Sequence, residues 1–233
     1  GVMGKKRKLY HAYRNGKVNH AATLDDYAGM IRAALSLYEI TGAEKYIEAA
    51  KQWTNIAATQ FWDKEGGGYF FTADDAEALI VRTKSASDTA TPSSNGVMVA
   101  NLSRLYYLTG HSKYRDRADQ VITAFSGELT KNFFPFATLM NSVEFLQCAI
   151  QISIIGVRNE TGCQNLLDAV FQNNIMNKVI SVIPPDRDFP INHPAFGKKQ
   201  KDNLATAFVC VGTTCSLPIT DANSLSDHLK DST

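Results

Sequence analysis

The apolar positions of this chain follow a helical rhythm from residue 24 onward. They fall at 24, 28, 31, 35 and 38, the spacing that puts one buried stripe along a helix. Met30, Ala34 and Leu37 widen the stripe, so the helix packs on two sides. Gly42 supplies the left-handed residue that ends it. A partner helix follows, with Tyr46, Ala50, Trp53, Ala57 and Phe61 on its apolar face. The pattern then returns at a constant offset of 68 residues. Met30 and Met98, Leu37 and Leu105, Tyr38 and Tyr106, Thr41 and Thr109, Gly42 and Gly110, Lys45 and Lys113, and Tyr46 and Tyr114 are identical pairs. A helix–stop–helix unit cannot bury its apolar face alone, so duplicated units stack.

The remaining segments break this rhythm. Residues 5–23 are polar and irregular, with a turn signal at Arg14-Asn15-Gly16-Lys17. Three glycines at 66–68, followed by Tyr69, Phe70 and Phe71, predict a turn entering a short strand. Residues 79–83 provide an antiparallel mate, with an acidic stretch at 73–77 between the two. A polar loop over 84–95 leads, past Pro92, into the second copy at about 96–130, and residues 138–149 predict one more helix. Beyond this the β-branched content rises. A strand over 150–155, a helix over 161–173 and a strand over 178–183 make a βαβ unit, normally of right-handed crossover. A proline-rich exposed loop spans 184–203, a hairpin pairs 205–211 with 215–219, and Asp221 caps a helix running to 229. The fold class is mainly α: stacked helical hairpins with an inserted β-hairpin, then a small α/β region. The expected domains are residues 1–147 and 148–233.

Composition narrows the function classes. With 44% hydrophobic and 20% charged residues, the chain is an ordinary globular sequence. Its formal net charge of +1 makes no field for nucleic acid or an anionic membrane. The basic run Lys5-Lys6-Arg7-Lys8 reads as a solvated tail. No apolar run reaches the roughly 18 residues of a membrane span. The first residues show no secretory leader, and four cysteines are too few for a disulfide scaffold in a chain of this length, so a cytoplasmic setting is expected. Cys148 and Cys163 read as packing residues. Cys210 and Cys215 have a C-x4-C spacing that matches neither a thioredoxin-like pair nor a zinc site, and are expected to be buried thiols. The three glycines lack the lysine and the helix of a phosphate-binding loop. No metal and no cofactor is expected.

The candidate chemistry gathers at the segments that feed the two repeated helices. The first carries His20, Asp25, Asp26 and Tyr27, and the second Asp88, Ser93, Ser94 and Asn95. The repeat offset superposes Asp26 on Ser94 and Tyr27 on Asn95. Asp25, Asp26, Ser93 and Ser94 read either as helix caps or as the polar lining of a shared cavity, where exposed helix N–H groups favour anions and hydroxyls. Asp26 with Asp88 makes a carboxylate pair of the kind glycoside chemistry uses, and His20 is a general base by intrinsic pKa. Trp62, Tyr69, Phe70 and Phe71 either stack on a sugar ring or pack in the core. Arg82 and Lys84 either pair with Asp88, hold an anionic substrate, or form surface ion pairs of little energetic weight.

Several of these stretches occur in one order in a known family. They are Arg14-Asn15-Gly16-Lys17, Leu24-Asp25-Asp26-Tyr27-Ala28, Gly66-Gly67-Gly68-Tyr69-Phe70-Phe71-Thr72, Pro92-Ser93-Ser94-Asn95 with Leu105-Tyr106-Tyr107-Leu108-Thr109-Gly110, and Cys210 with Cys215-Ser216-Leu217-Pro218. Over nearly its whole length the chain resembles the C-terminal part of the YyaL-type proteins, related to spermatogenesis-associated protein 20. That resemblance implies a longer protein with an N-terminal thioredoxin-like domain and an (α/α)6 toroid of the six-hairpin glycosidase class, similar also to sugar epimerases. It implies that residues 1–147 are part of such a toroid, since two to three hairpins cannot close a six-hairpin ring. Ser94 stands where the family motif usually has glycine, and the histidine pair of the epimerases has no counterpart here.

The expected function is carbohydrate binding or processing at the leading ends of the repeated helices, of glycosidase or epimerase type if catalytic. Asp26 and Asp88, then His20, would be the acid/base residues. Asp25, Tyr27, Tyr69, Phe70, Arg82, Lys84, Ser93 and Asn95 would bind substrate. Expected partners are a sugar ligand, the remainder of a longer protein with its thioredoxin-like domain, and a second copy of the chain. Nucleic acid and membrane are not expected. The alternative is a non-catalytic scaffold module that supports the thioredoxin-like domain.

Overall fold

The computed structural model describes residues 8–76 and 80–231, and the chain divides into two compact units. The first comprises residues to 38, 43–105 and 112–146; the second comprises 39–42, 106–111 and 147 onward. The basic residues Lys5 to Arg7, and Glu77 and Leu79 of the expected hairpin, lie outside the described residues.

The first unit opens with an antiparallel hairpin, β1 (Tyr10–Arg14) and β2 (Lys17–Ala21). Sequence reading expected irregular chain here. Asn15 and Gly16 have φ of 51° and 77°, the pair of left-handed residues that a tight two-residue hairpin turn demands. The two repeat copies then form helices α1 (Leu24–Thr41), α2 (Glu44–Gln60), α3 (Ser94–Thr109) and α4 (Ser112–Leu129). A 3-10 turn over Phe134–Phe136 leads into α5 (Ala137–Cys148). The mainly α expectation holds, and most positions of the predicted stripes are buried, but Leu37, expected to widen the stripe of α1, is 40% exposed. Leu24, Ile31, Leu35, Ala50, Ala57, Phe61, Met98, Leu105, Val121 and Leu139 have no exposed surface. Asn101 ties α3 to α1 through its side-chain amide, which donates to the Ala28 carbonyl at 2.8 Å.

The expected inserted hairpin is corrected. Residues 66–72 and 80–83 are irregular chain. They are joined by one backbone bond, Phe71 N–H to the Thr83 carbonyl at 2.8 Å, while Trp62 and Tyr69 form an isolated bridge. Gly67 and Gly68 lie at φ of 69° and 74°, so the glycines bend the chain too sharply for an extended ladder.

The second unit is built on a four-stranded sheet. Strands β3 (Ile150–Ile155) and β4 (Lys178–Ile183) are parallel and in register along their whole length. Helix α6 (Thr161–Gln172) connects them as the expected βαβ unit. Its N-cap is Glu160, without a side-chain cap bond, rather than Thr161. β5 (Thr206–Val211) pairs antiparallel with β3 and carries the two-residue edge strand β6 (Thr214–Cys215). The sheet order is β4-β3-β5-β6. One face, with Ile150, Ile152, Ile154, Ile180 and Val209, packs with Leu166, Val170, Leu225 and Leu229 of α6 and α7 (Ala222–Asp231). Asp221 caps α7, accepting from the Ser224 N–H at 2.8 Å. Part of the proline-rich loop is no exposed loop: Ala195 is 4% exposed and clusters with Ile155, Ile183 and Phe189. The expectation of free, buried thiols at Cys210 and Cys215 is also corrected. They face each other across β5 and β6 and form a disulfide, with Cys215 exposed.

Both repeat stops use glycine in the left-handed region, Gly42 at φ 69° and Gly110 at φ 71°. Their surroundings differ. A Cβ on Gly42 would stand 2.9 Å from the Arg158 Nε, the end of a flexible side chain. That guanidinium donates to the Glu39 and Ile40 carbonyls at 2.9 and 2.6 Å, a cation satisfying the open end of α1. A Cβ on Gly110 would stand 1.8 Å from the Asn192 backbone carbonyl oxygen. Gly42→Ala should therefore cost about 1–2 kcal/mol, the left-handed penalty. Gly110→Ala should cost more, because backbone must move as well. Urea denaturation of the two variants checks this ranking.

Candidate functional site

A cleft of about 190 Å³ opens in the first unit at the leading ends of α1 and α3. One wall is the segment 83–93. Outward and inward positions alternate from 83 to 88, and a bend with a Thr89 N–H to Thr91 carbonyl bond then brings Thr89, Thr91, Pro92 and the buried Ser93 to the same cleft. Thr83, Ser85, Ser87, Thr89, Thr91 and Ser93 all line the cleft. Between them Lys84 and Asp88 turn into the protein and Ala86 is fully buried. Side chains of extended chain point alternately to opposite sides, so Thr83, Ser85 and Ser87 share one hydroxyl-bearing face. Asp25, Phe71 and the first turn of α3 complete the lining.

Asn95 holds these walls in place. It is 1% exposed. Its Oδ1 accepts from the Tyr69 N–H at 2.8 Å, and its Nδ2 donates to the Tyr69 and Ser85 carbonyls, each at 2.9 Å. Ser93 caps α3, its Oγ accepting from the Gly96 N–H at 3.2 Å. Of the two readings of Ser93, cap and lining, the structure realises both.

Asp88 lies behind the wall. Its two oxygens accept from the Ser93 and Thr138 N–H groups, both at 2.8 Å. Burial pushes its carboxyl up, but the hydrogen bonds from Thr138 and Ser93 together outweigh burial and leave it below its ordinary value. Asp26 is engaged elsewhere. Its Oδ2 accepts from the Thr23 N–H at 2.8 Å, the reciprocal half of a helix-capping box, and from His11 Nδ1 at 2.9 Å. The hydrogen bond to Asp26 raises the His11 pKa. Neither carboxylate lines the cleft, and Asp25 is the one carboxylate among the lining residues. His20 is exposed on β2 at φ 58°.

Four expected binding residues have other surroundings. Tyr27 is 2% exposed, its hydroxyl accepting from the Leu9 N–H at 3.2 Å and its ring edge-on to Phe61 at 5.3 Å. Phe70 lies under the Arg82 guanidinium at 4.3 Å. Arg82 donates to the Thr72 and Gln60 carbonyls. Lys84 pairs with Asp63 at 2.6 Å and not with Asp88. This pair, with the Gly66 and Glu65 N–H groups, holds the Asp63 carboxyl at about 2. Tyr69 is fully buried and edge-on to Trp62 at 5.0 Å. Its hydroxyl is pushed up by burial. Asp25, Tyr69, Ser93 and Asn95 thus meet at the cleft. The other hydroxyls and Phe71 complete it, and the period of two along 83–93 was the sequence signal for them. Among the described residues no cluster of three His, Cys, Asp or Glu side chains is arranged to hold a metal, and no helix is long and apolar enough to cross a membrane.

No protein-family model matches the chain. Curated proteins do. Human spermatogenesis-associated protein 20 is 31% identical over 233 residues, covering 94% of this chain, and the rat protein of that name is 30% identical over 231 residues. Uncharacterized protein B0495.5 of Caenorhabditis elegans is 25% identical over 224 residues. The chain spans 29–30% of the length of these relatives. It is similar to one part of a larger protein of the spermatogenesis-associated protein 20 type, as the ordered motifs imply.

Two outcomes follow from these geometries. Asp88→Asn presents an amide N–H₂ to one of two backbone donors, and should lose roughly 1–3 kcal/mol of stability, read by thermal or urea unfolding. Because the folded Asp63 pKa of about 2 lies below the unfolded value of about 3.9, its contribution is fully present above about pH 4. It is lost as pH falls toward 2. Asp63→Asn should flatten that part of the acid-unfolding curve.

Proposed function

We propose that the cleft of the first unit binds a small polyhydroxylated molecule, a sugar, within a larger protein of the spermatogenesis-associated protein 20 type. The row of hydroxyls from Thr83 to Ser93 carries this reading. Each hydroxyl both donates and accepts, which suits a ligand whose own groups do both. Asp25 adds an acceptor-only carboxylate able to take two ligand hydroxyls, and Phe71, 39% exposed, offers a ring for an apolar sugar face. A volume of about 190 Å³ is below the roughly 300–1,000 Å³ of drug-sized sites, so the occupant is a single ring. The repeated helical hairpins that carry the cleft are read as a segment of an α/α toroid.

The proposal assigns binding, with no acid/base role to Asp26 or Asp88, since capping and backbone bridging already occupy their oxygens. The same occupation favours a second reading, a non-catalytic scaffold for the remainder of the larger protein, in which the cleft is only a seam between connecting segments. Thermal-shift measurements with a monosaccharide panel separate the two. A sugar that raises the wild-type Tm by a few degrees, with the rise lost in Asp25→Asn and Phe71→Ala, supports the cleft. No shift with any sugar, in this chain and in the full-length protein, supports the scaffold.

A further inference from the structure

We propose that the Cys210–Cys215 disulfide is a thiol–disulfide exchange site, reduced by an external dithiol through attack on the Cys215 sulfur. Three observations carry this. The first is accessibility. Cys215 is exposed on the edge strand of the sheet, whereas Cys210 is 4% exposed on the neighbouring strand. An incoming thiolate meets Cys215 more readily than Cys210, and exposed disulfides are the labile ones.

The second is that the bond does little for the fold. It closes a ring across a sequence separation of only 5, and short rings constrain an unfolded chain least. The two cysteines already face each other across a hairpin whose turn opens on Gly212 at φ 58°. β6 contributes two residues, while β3, β4 and β5 pack with α6 and α7 without any contribution from Cys215.

The third is the surroundings. Both cysteines line a cleft of about 200 Å³ within the second unit, together with Tyr106, Gln151 and Lys198. The cleft leaves room for a reductant's side chain beside the bond. The Lys198 ammonium, which donates to the Pro194 carbonyl, places a positive charge on the same cleft.

The exchange balances in two steps. A reductant thiolate attacks Cys215 Sγ, and the Sγ–Sγ bond breaks with its electron pair leaving on Cys210 Sγ, which takes a proton from solvent. The reductant's second thiolate then attacks the reductant sulfur of the mixed disulfide. Cys215 leaves as thiolate and is protonated. Two electrons have passed from the dithiol to the cystine, and the dithiol has become a disulfide.

The test treats the folded chain with dithiothreitol in native buffer, then labels thiols by differential alkylation read by mass spectrometry, with far-UV circular dichroism followed in parallel. The expected result is full labelling of Cys210 and Cys215 with the helical signal unchanged. Labelling only after denaturant is added, or labelling accompanied by loss of structure, would make the bond a structural staple and overturn the proposal. Cys210→Ser should form a mixed disulfide at Cys215 when mixed with glutathione disulfide, and Cys215→Ser should lose that adduct. An adduct on the exposed Cys148 in place of Cys215 would also overturn it. If Cys210→Ser does not fold, the wild-type measurement decides alone.

Discussion

Asn95 makes three hydrogen bonds from one buried side chain, to the Tyr69 N–H, the Tyr69 carbonyl and the Ser85 carbonyl. A side-chain amide carries a carbonyl acceptor and two N–H donors, so it can mimic the edge of a strand. The glycine turn at 66–68 and the extended segment at 83–88 do not pair as a ladder, so their backbone groups need partners from elsewhere. Asn95 supplies them from the first turn of α3. Without that bridge the two cleft walls would have one direct backbone bond between them, Phe71 to Thr83.

The same economy runs through the first unit. Asp88 bridges the Ser93 and Thr138 N–H groups, Asp26 closes the cap of α1, and Asp63 gathers the glycine turn with Lys84. Side chains that would serve acid/base chemistry in an open cavity are used here to satisfy backbone. What faces the cleft is mainly hydroxyl, with the Phe71 ring and a single carboxylate, Asp25. In the second unit a cystine meets solvent at one sheet edge.

Some of this was legible in the residues. The apolar stripes of α1 to α4, the glycine stops at 42 and 110 and the β3–α6–β4 unit follow from local rules: period, left-handed backbone freedom and β-branched content. The wrong readings share a cause. Residues 66–72 have strand-forming aromatics, yet their glycines bend the chain. Residues 10–21 look irregular by composition, yet the Asn15-Gly16 turn closes a hairpin. The hydroxyls at 83, 85, 87, 89, 91 and 93 were visible as a period of two, but composition drew them into a featureless polar loop.

By itself the sequence determined the helices of both units and the β3–α6–β4 strands, because those choices rest on neighbours a few residues away. Only the tertiary structure decided the chemical state of the candidate groups. Asp88 is a bridge because the Thr138 N–H, 50 residues distant, meets it at 2.8 Å, and Asp25 is left to the cleft because no comparable donor among the described residues was brought to it. Tyr27 is core because the Leu9 N–H and Phe61 close over it. A carboxylate or a ring has the same intrinsic chemistry wherever it stands, and the partner that folding delivers to it settles whether that chemistry is spent on the fold or offered to a ligand.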